Sequence, residues 1–180
     1  MNTKPQPPHN LLAICLDSGD TLVDEGTEIK DARGAVLEAE LIPGAAELVR
    51  QIKQRGYPLA LVADGPADTF RNVLGHFGLY ELFDALAISE LVGVEKPDAA
   101  MFHTALGQLD IAQADYGRVI MVGNNLSRDI LGANALGLIT VWIDWAPRRA
   151  KIPANALETP DYIIKTPLEL LNVINQIEKL

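Results

Sequence analysis

Asp17 stands at the end of an apolar run, Leu11-Leu-Ala-Ile-Cys-Leu16, and is followed at once by Ser18, Gly19, Asp20 and Thr21. An apolar run that breaks off at a carboxylate reads as a buried strand carrying Asp17 to the rim of a sheet. Open α/β sheets take their ligands there, outside the carboxyl ends of the strands. A carboxylate so held can act as a nucleophile, as a metal ligand or as both. Three further polar groups follow later apolar stretches: Ala63-Asp64-Gly65, Lys96-Pro97, and Gly123-Asn124-Asn125-Leu126-Ser127-Arg128-Asp129. Arg148, Arg149 and Lys151 follow another, and either bring positive charge toward the crevice or sit on a solvated loop. Zinc chemistry is excluded by pattern. His76 and His103 fall within helical periods, His9 lies near the N-terminus, and no cysteine accompanies any of them.

These residues need elements to position them. Apolar runs of strand length at 11–16, 58–63, 85–89, 119–122 and 139–143, with a weaker one at 162–164, alternate with segments of helical period. That alternation is the pattern of βαβ units and a parallel sheet. Pro43-Gly44 opens a helix with Ala45, Leu48, Val49 and Ile52 on one face, and Gly56 closes it. Further helices are expected at 67–77, at 98–109 behind Pro97, at 128–136 behind Ser127 as N-cap, and at 168–177 behind Thr166-Pro167. Residues 27–42 fit neither period, and Gly34 sits where a turn would join two short strands, so a β-hairpin is expected there.

Composition narrows the class. The chain has 180 residues, 48% of them hydrophobic and 22% charged, enough for one compact domain with a sizeable core. We expect a flexible leader at residues 1–10 and a single domain at 11–180. The net charge of −9 argues against a nucleic-acid partner, which needs clustered basic surface. No apolar stretch approaches the roughly 18 residues that span a bilayer. Cys15 is the single cysteine, so no intramolecular disulfide can form, and a reducing, cytoplasmic location is the default expectation.

Taken in order, the four polar groups at strand ends resemble the motifs of the haloacid dehalogenase-like (HAD) hydrolase superfamily. The likeness runs from about Leu11 to Trp145 and includes Val92-Gly93-Val94-Glu95-Lys96-Pro97 and the Gly132-Ala133…Gly137 run. It implies a doubly wound, Rossmann-like parallel sheet in the order 5-4-1-2-3. It also implies a Mg²⁺-dependent phosphatase that forms an aspartyl-phosphate on Asp17. Lys96 would steady the nucleophile and the phosphoryl charge. Residues 63–65 (Ala63, Asp64, Gly65) would face the phosphate. Asp17, the backbone carbonyl of Gly19, Asn124 and Asp129 would hold the metal. The gaps between motifs have room for a hairpin, helices and strands but for no folded lid, so a capless type is expected. An open cleft suits a phosphorylated small molecule, an exposed phosphoester on a larger one, or closure by a second copy of the chain.

Three positions depart from the family pattern. Where its phosphatases carry a second Asp two residues after the nucleophile, this chain has Gly19, and the acid follows as Asp20. In the family that Asp protonates the leaving group and later activates water, work worth about 10²–10⁴ in rate. Asp20 has two readings: a catalytic carboxyl aimed inward by the freedom of Gly19, or a solvent-facing or capping residue where the flap begins. Ala63 replaces a Ser or Thr hydroxyl, leaving backbone N–H groups near Asp64 and Gly65 to meet phosphate. Asn124 replaces an acid, so Mg²⁺ is expected to bind weakly. Two other functions remain open at this point. One is a metal-independent, dehalogenase-like hydrolase; the other is a catalytically weak binding or regulatory protein on the same scaffold.

Overall fold

In the computed structural model, which describes residues 10–179, the long apolar runs form one parallel sheet of six strands. They are β1 (Ala13–Leu16), β4 (Leu59–Ala63), β5 (Ala85–Ile88), β6 (Val119–Gly123), β7 (Ile139–Ile143) and β8 (Tyr162–Ile164). The spatial order is β5-β4-β1-β6-β7-β8. Numbered along the chain, the five strong runs therefore lie 5-4-1-2-3, and the weak run at 162–164 adds a sixth strand beside β7. The expected leader falls on residues outside the described ones, except Asn10, whose N–H donates to Glu178.

Alternation along the strands sorts two cores. Ile14, Leu16, Leu59, Leu61 and Val122 face helices α1 (Ala45–Gln54), α2 (Ala67–His76) and α6 (Leu170–Ile177). Ala13, Cys15, Ala60, Val62, Ala85 and Ala87 face the other way. Their smaller side chains leave depth for Met101, Phe102, Ala105 and Leu106 of α4 (Ala99–Gln108) and for Ala133 of α5 (Leu131–Ala135). With both faces covered, each central strand reads as an apolar run rather than an alternating one. Helix α1 buries the four residues that its period selects: Ala45, Leu48, Val49 and Ile52.

Residues 27–42 do contain a hairpin, β2 (Ile29–Lys30) paired antiparallel with β3 (Val36–Glu38). Gly34 turns it at φ +85°, a value that disfavours any residue with a Cβ. Asp31 Oδ1 closes the turn by accepting from the N–H groups of Arg33 and Ala35. The hairpin is pinned to α2, because Thr69 Oγ1 accepts from Val36 N–H and Asn72 donates to Val36 O. The β1–β4 connection thus holds this flap and α1. The β4–β5 connection holds α2 and a short 3-10 turn.

Three local expectations need correction. Ser127 is not the N-cap of its helix. Asn125 takes that role, accepting from Ser127 N–H, and the helix opens with a π-helical turn at Leu126–Ile130 before α5. Pro97, which follows a cis peptide bond, lies before α4, and Asp98 caps that helix by accepting from Ala100 N–H. Ser89 ends no strand but begins a one-turn helix, α3 (Ser89–Val92).

Candidate active site

The carboxyl ends of β1, β4 and β6 open into a cavity of about 570 Å³, walled on one side by α2 and the hairpin. Asp17 continues β1, its N–H donating to Val122 O of the neighbouring strand. The chain then wraps around Ser18, whose carbonyl accepts from Thr21, Leu22 and Val23. That wrap stops the strand and leaves the Asp17 carboxylate at the bottom of the cavity, 8% exposed.

Lys96 is the centre of this floor. Its Nζ lies 2.7 Å from Asp17 Oδ1, 2.7 Å from Asp129 Oδ1 and 2.8 Å from Val62 O. Its backbone N–H donates to Asp64 Oδ1, so the residue is held at both ends. Burial pulls the Lys96 ammonium down, but Asp129, Asp17 and Asp64 outweigh it and keep its pKa above the ordinary lysine range. Asp129 shows the opposite balance. Burial pushes its carboxyl up, Lys96 opposes, and the charge of Asp17 adds to the rise.

Asp129 reaches the floor because Gly123 has no side chain. A Cβ there would overlap Asp129 Cγ and Oδ2. Asn125 N–H binds Asp129 Oδ2, while the buried Oδ1 has the lysine beside it but no hydrogen bond of good geometry. Asn124 lines the same cavity, its backbone fixed by the Trp142 indole N–H, which donates to Asn124 O at 2.9 Å. Among the described residues, no three His, Cys, Asp or Glu side chains form a metal-binding group. Any cation here would need the Asn124 amide or a backbone carbonyl in addition to two carboxylates.

The second motif is placed differently from its expectation. Ala63 is buried in β4 and does not line the cavity, and the Gly65 N–H already donates to Ser89 Oγ at 2.9 Å. That N–H is therefore not available to a phosphate as it stands. Asp64 does not present bare negative charge to a ligand, since Oδ1 binds Lys96 N–H and Oδ2 binds Arg128 at 3.1 Å.

Asp20 departs from the catalytic reading and from the solvent-facing one, and keeps a capping contact at the start of the flap. It is neither solvent-facing nor part of the cavity lining. It is fully buried, its two oxygens gripped by Arg148 Nε at 2.8 Å and Nη2 at 2.7 Å, with Glu25 N–H at 3.2 Å. The left-handed residue of this turn is Asp20 itself, at φ 48°, rather than Gly19. Gly19 matters for space. A Cβ on it would overlap Glu25 Oε1 and come within 3.0 Å of Glu25 Cδ.

Glu25 is the cavity residue that sequence reasoning missed. It lines the cavity with Asp17 and is held by Arg149 Nη2 at 2.9 and 3.1 Å. Burial raises its carboxyl above the usual glutamate range; Arg149 opposes this, and Asp20, Asp17 and Glu28 add to it. No periodicity or spacing marks this residue. Its place depends on a loop 124 residues further along the chain. The readings of 148–151 as a charge source and as a solvated loop both hold in part, because Arg149 lines the cavity while Lys151 pairs with Asp144 outside it.

Asp17 at the end of β1, Lys96 from the loop after α3 and Asp129 from the turn after β6 thus converge at the carboxyl edge of the parallel sheet. Residues 7–137 match the sequence model of the haloacid dehalogenase-like hydrolase family, and the chain belongs to that family. It is 32% identical over 137 residues to a glyceraldehyde 3-phosphate phosphatase of Methanopyrus kandleri, covering 76% of this chain and 58% of that enzyme. The magnesium-bound HAD-hydrolase YfnB of Bacillus subtilis superposes with a TM-score of 0.65 at 29% identity, over 76% of this chain and 57% of that one. An uncharacterized protein of Listeria monocytogenes serotype 4b shares the fold over 94% of this chain and all of its own, with a TM-score of 0.72 at 23% identity. The chain thus spans between half and two thirds of the phosphatase it matches. Among the described residues, no helix is long and apolar enough to cross a membrane.

Proposed function

We propose that this chain hydrolyses phosphate monoesters through a covalent aspartyl-phosphate on Asp17. The observation that carries the reading is the Asp17–Lys96 pair at 2.7 Å on the floor of an open cavity. Lys96 binds Oδ1 and leaves Oδ2, which the Thr21 hydroxyl approaches at 3.4 Å, to attack phosphorus. The same ammonium then offsets charge on the transferring phosphoryl group, where electrostatics and positioning do most of the work. Arg128, Arg149 and Lys30 also line the cavity, each paired with an acidic side chain, and a phosphorylated small molecule or an exposed phosphoester would share those cations. That relatives are named phosphatases supports this substrate class.

A Mg²⁺ ion fits the donor chemistry. Asp129 Oδ1 is buried against the Lys96 ammonium without a hydrogen bond of good geometry, and the other oxygens that would hold the ion belong to Asp17, the Asn124 amide and the Gly19 carbonyl. Such an ion would act as a Lewis acid on the phosphoryl oxygens. Lys96 already neutralises part of both carboxylates, and Asn124 carries no charge, so calorimetry should find weak Mg²⁺ binding to the ligand-free protein. A cytoplasmic location and closure of the open cleft by a second copy of the chain complete the proposal.

The test is hydrolysis of p-nitrophenyl phosphate with Mg²⁺, with EDTA, and by Asp17→Asn. Turnover that needs the metal and falls to background in the variant is the expected result. Beryllium fluoride should also form an adduct with the wild type that Asp17→Asn lacks. Metal-independent turnover that survives the substitution would end the proposal.

A further inference from the structure

An alkyl phosphate leaves as an alkoxide unless a proton reaches its oxygen, and the water that later releases phosphate must lose one. On the phosphatase reading, this cavity therefore needs a second carboxyl close to Asp17. Five carboxyl side chains line it. Asp17 is the nucleophile. Both oxygens of Asp64 accept hydrogen bonds, from Lys96 N–H and from Arg128. Asp129 is packed against Lys96 and Asn125 N–H at 1% exposure, and Glu28 turns to Lys30 at 2.8 Å.

Glu25 remains. Its carboxyl lies over the α-carbon of Gly19, two residues from the nucleophile, in the volume that a side chain at position 19 would fill. The missing side chain and the incoming one are therefore one arrangement: Gly19 is the vacancy, and Glu25 fills it from the flap. Arg149 holds both oxygens of that carboxyl through a single nitrogen, Nη2, on a side chain about a third exposed. Asp20, the acid nearest in sequence, is excluded by its burial against Arg148.

We propose that Glu25 is the general acid and base of this site, supplied by the flap in place of a side chain at residue 19. As Asp17 adds to phosphorus and the bond to the ester oxygen breaks, the Glu25 carboxyl gives that oxygen its proton. In the return step the Glu25 carboxylate takes a proton from the water that adds to phosphorus, and Asp17 departs as a carboxylate. The net reaction is ester plus water to alcohol plus phosphate.

The experiment compares wild type, Glu25→Gln and the double variant Gly19→Asp/Glu25→Ala on p-nitrophenyl phosphate and on glycerol 3-phosphate, in the full chain with Mg²⁺. Nitrophenolate needs no proton to leave. Glu25→Gln should therefore release up to one equivalent of it in a burst, then turn over about 10²–10⁴-fold more slowly than wild type while phosphate accumulates on Asp17. Glycerol 3-phosphate should show the same loss without a burst. The double variant moves a carboxyl back to position 19 and should recover part of both rates. A Glu25→Gln protein with wild-type rates on both esters overturns the assignment while leaving the phosphatase intact. Loss of the burst together with loss of turnover, unrelieved in the double variant, makes Glu25 a structural residue and also overturns it. A wild type inert to both esters removes this proposal and the phosphatase reading together.

Discussion

On the floor of the cavity, Lys96 holds Asp17 and Asp129 at the carboxyl edge of the sheet, and none of the three side chains is more than 12% exposed. Above it, Arg148 and Arg149 hold Asp20 and Glu25 from a loop, with about a third of each guanidinium side chain in water. Both arrangements pair carboxylates with cations, yet the surroundings give the pairs different work. The floor is nearly closed to water and its charges are buried against one another at the carboxyl edge of the sheet, so its geometry is tied to the core. The flap is clipped to residues 144–151 by pairs that water can compete for, so it can be displaced without unfolding the core. A site that must admit and release an ester can open on the flap side at small cost. The nucleophile and its lysine should stay fixed throughout.

The largest effect should come from the floor. Lys96→Met leaves two neighbouring carboxylates buried without their cation, and breaking such a pair from one side costs about 3–5 kcal/mol. Urea denaturation should show that loss, and phosphate turnover should vanish with it. A Lys96→Met protein as stable as wild type would mean that the floor is wet, and the contrast with the flap would fail. Arg148→Ala comes next. It strands the fully buried Asp20, but the guanidinium is partly exposed, so a loss of about 1–3 kcal/mol is expected. Arg148→Lys should not restore it, because one ammonium cannot reproduce the two-pronged grip on Asp20.

The same contrast explains what could be read from the chain. Asp17 and Asn124 directly follow β1 and β6, so the strand that ends there also sets the side chain's place, while Lys96 lies beyond a further helical turn and Asp129 within one. The hairpin, too, was legible from Gly34 and its short flanking segments. The flap's pairings were not, because Asp20 and Arg148 are 128 residues apart and nothing local ties them. Gly19 shows the limit most clearly. From sequence it reads as freedom to turn, whereas in the structure it is room for Glu25, and a missing side chain does not say which distant residue will fill its space. The same blindness misplaced the cap at Ser127. Both neighbours are good capping types, and the Asn125 side chain reaches the Ser127 N–H.

Smaller effects should separate holding the acid from holding the fold. Arg149→Ala removes a half-exposed pair worth at most about 1 kcal/mol, so denaturation should barely move. If Arg149 positions Glu25, kcat on glycerol 3-phosphate should still fall several-fold with KM nearly unchanged. The burst with p-nitrophenyl phosphate should then appear in weaker form than in Glu25→Gln. A shift in KM alone would instead make Arg149 a phosphate-binding residue.

The smallest expected effect lies where the clip is rooted. Asp144 accepts from Lys151 and Lys165, and Lys151 also donates to Ala146 O and lies 5.6 Å over the Trp142 ring. Hydrogen bonds from the two lysines hold the Asp144 carboxyl below the usual aspartate range. A carboxyl lowered in the folded state stabilises the fold above its unfolded value and loses that contribution as pH falls through the folded value. Asp144→Asn should therefore cost less than about 1 kcal/mol at neutral pH, both lysines being exposed, and nothing once the medium is acid enough to protonate the wild-type group. The two stability curves should converge on the acid side and run parallel above it. Because the clip carries Arg149, the variant's turnover of glycerol 3-phosphate should dip in the same neutral range. Curves that stay separated in acid would mean that Asp144 supports the loop through something other than its charge, and the view of the flap as a water-accessible electrostatic clip would lose its footing.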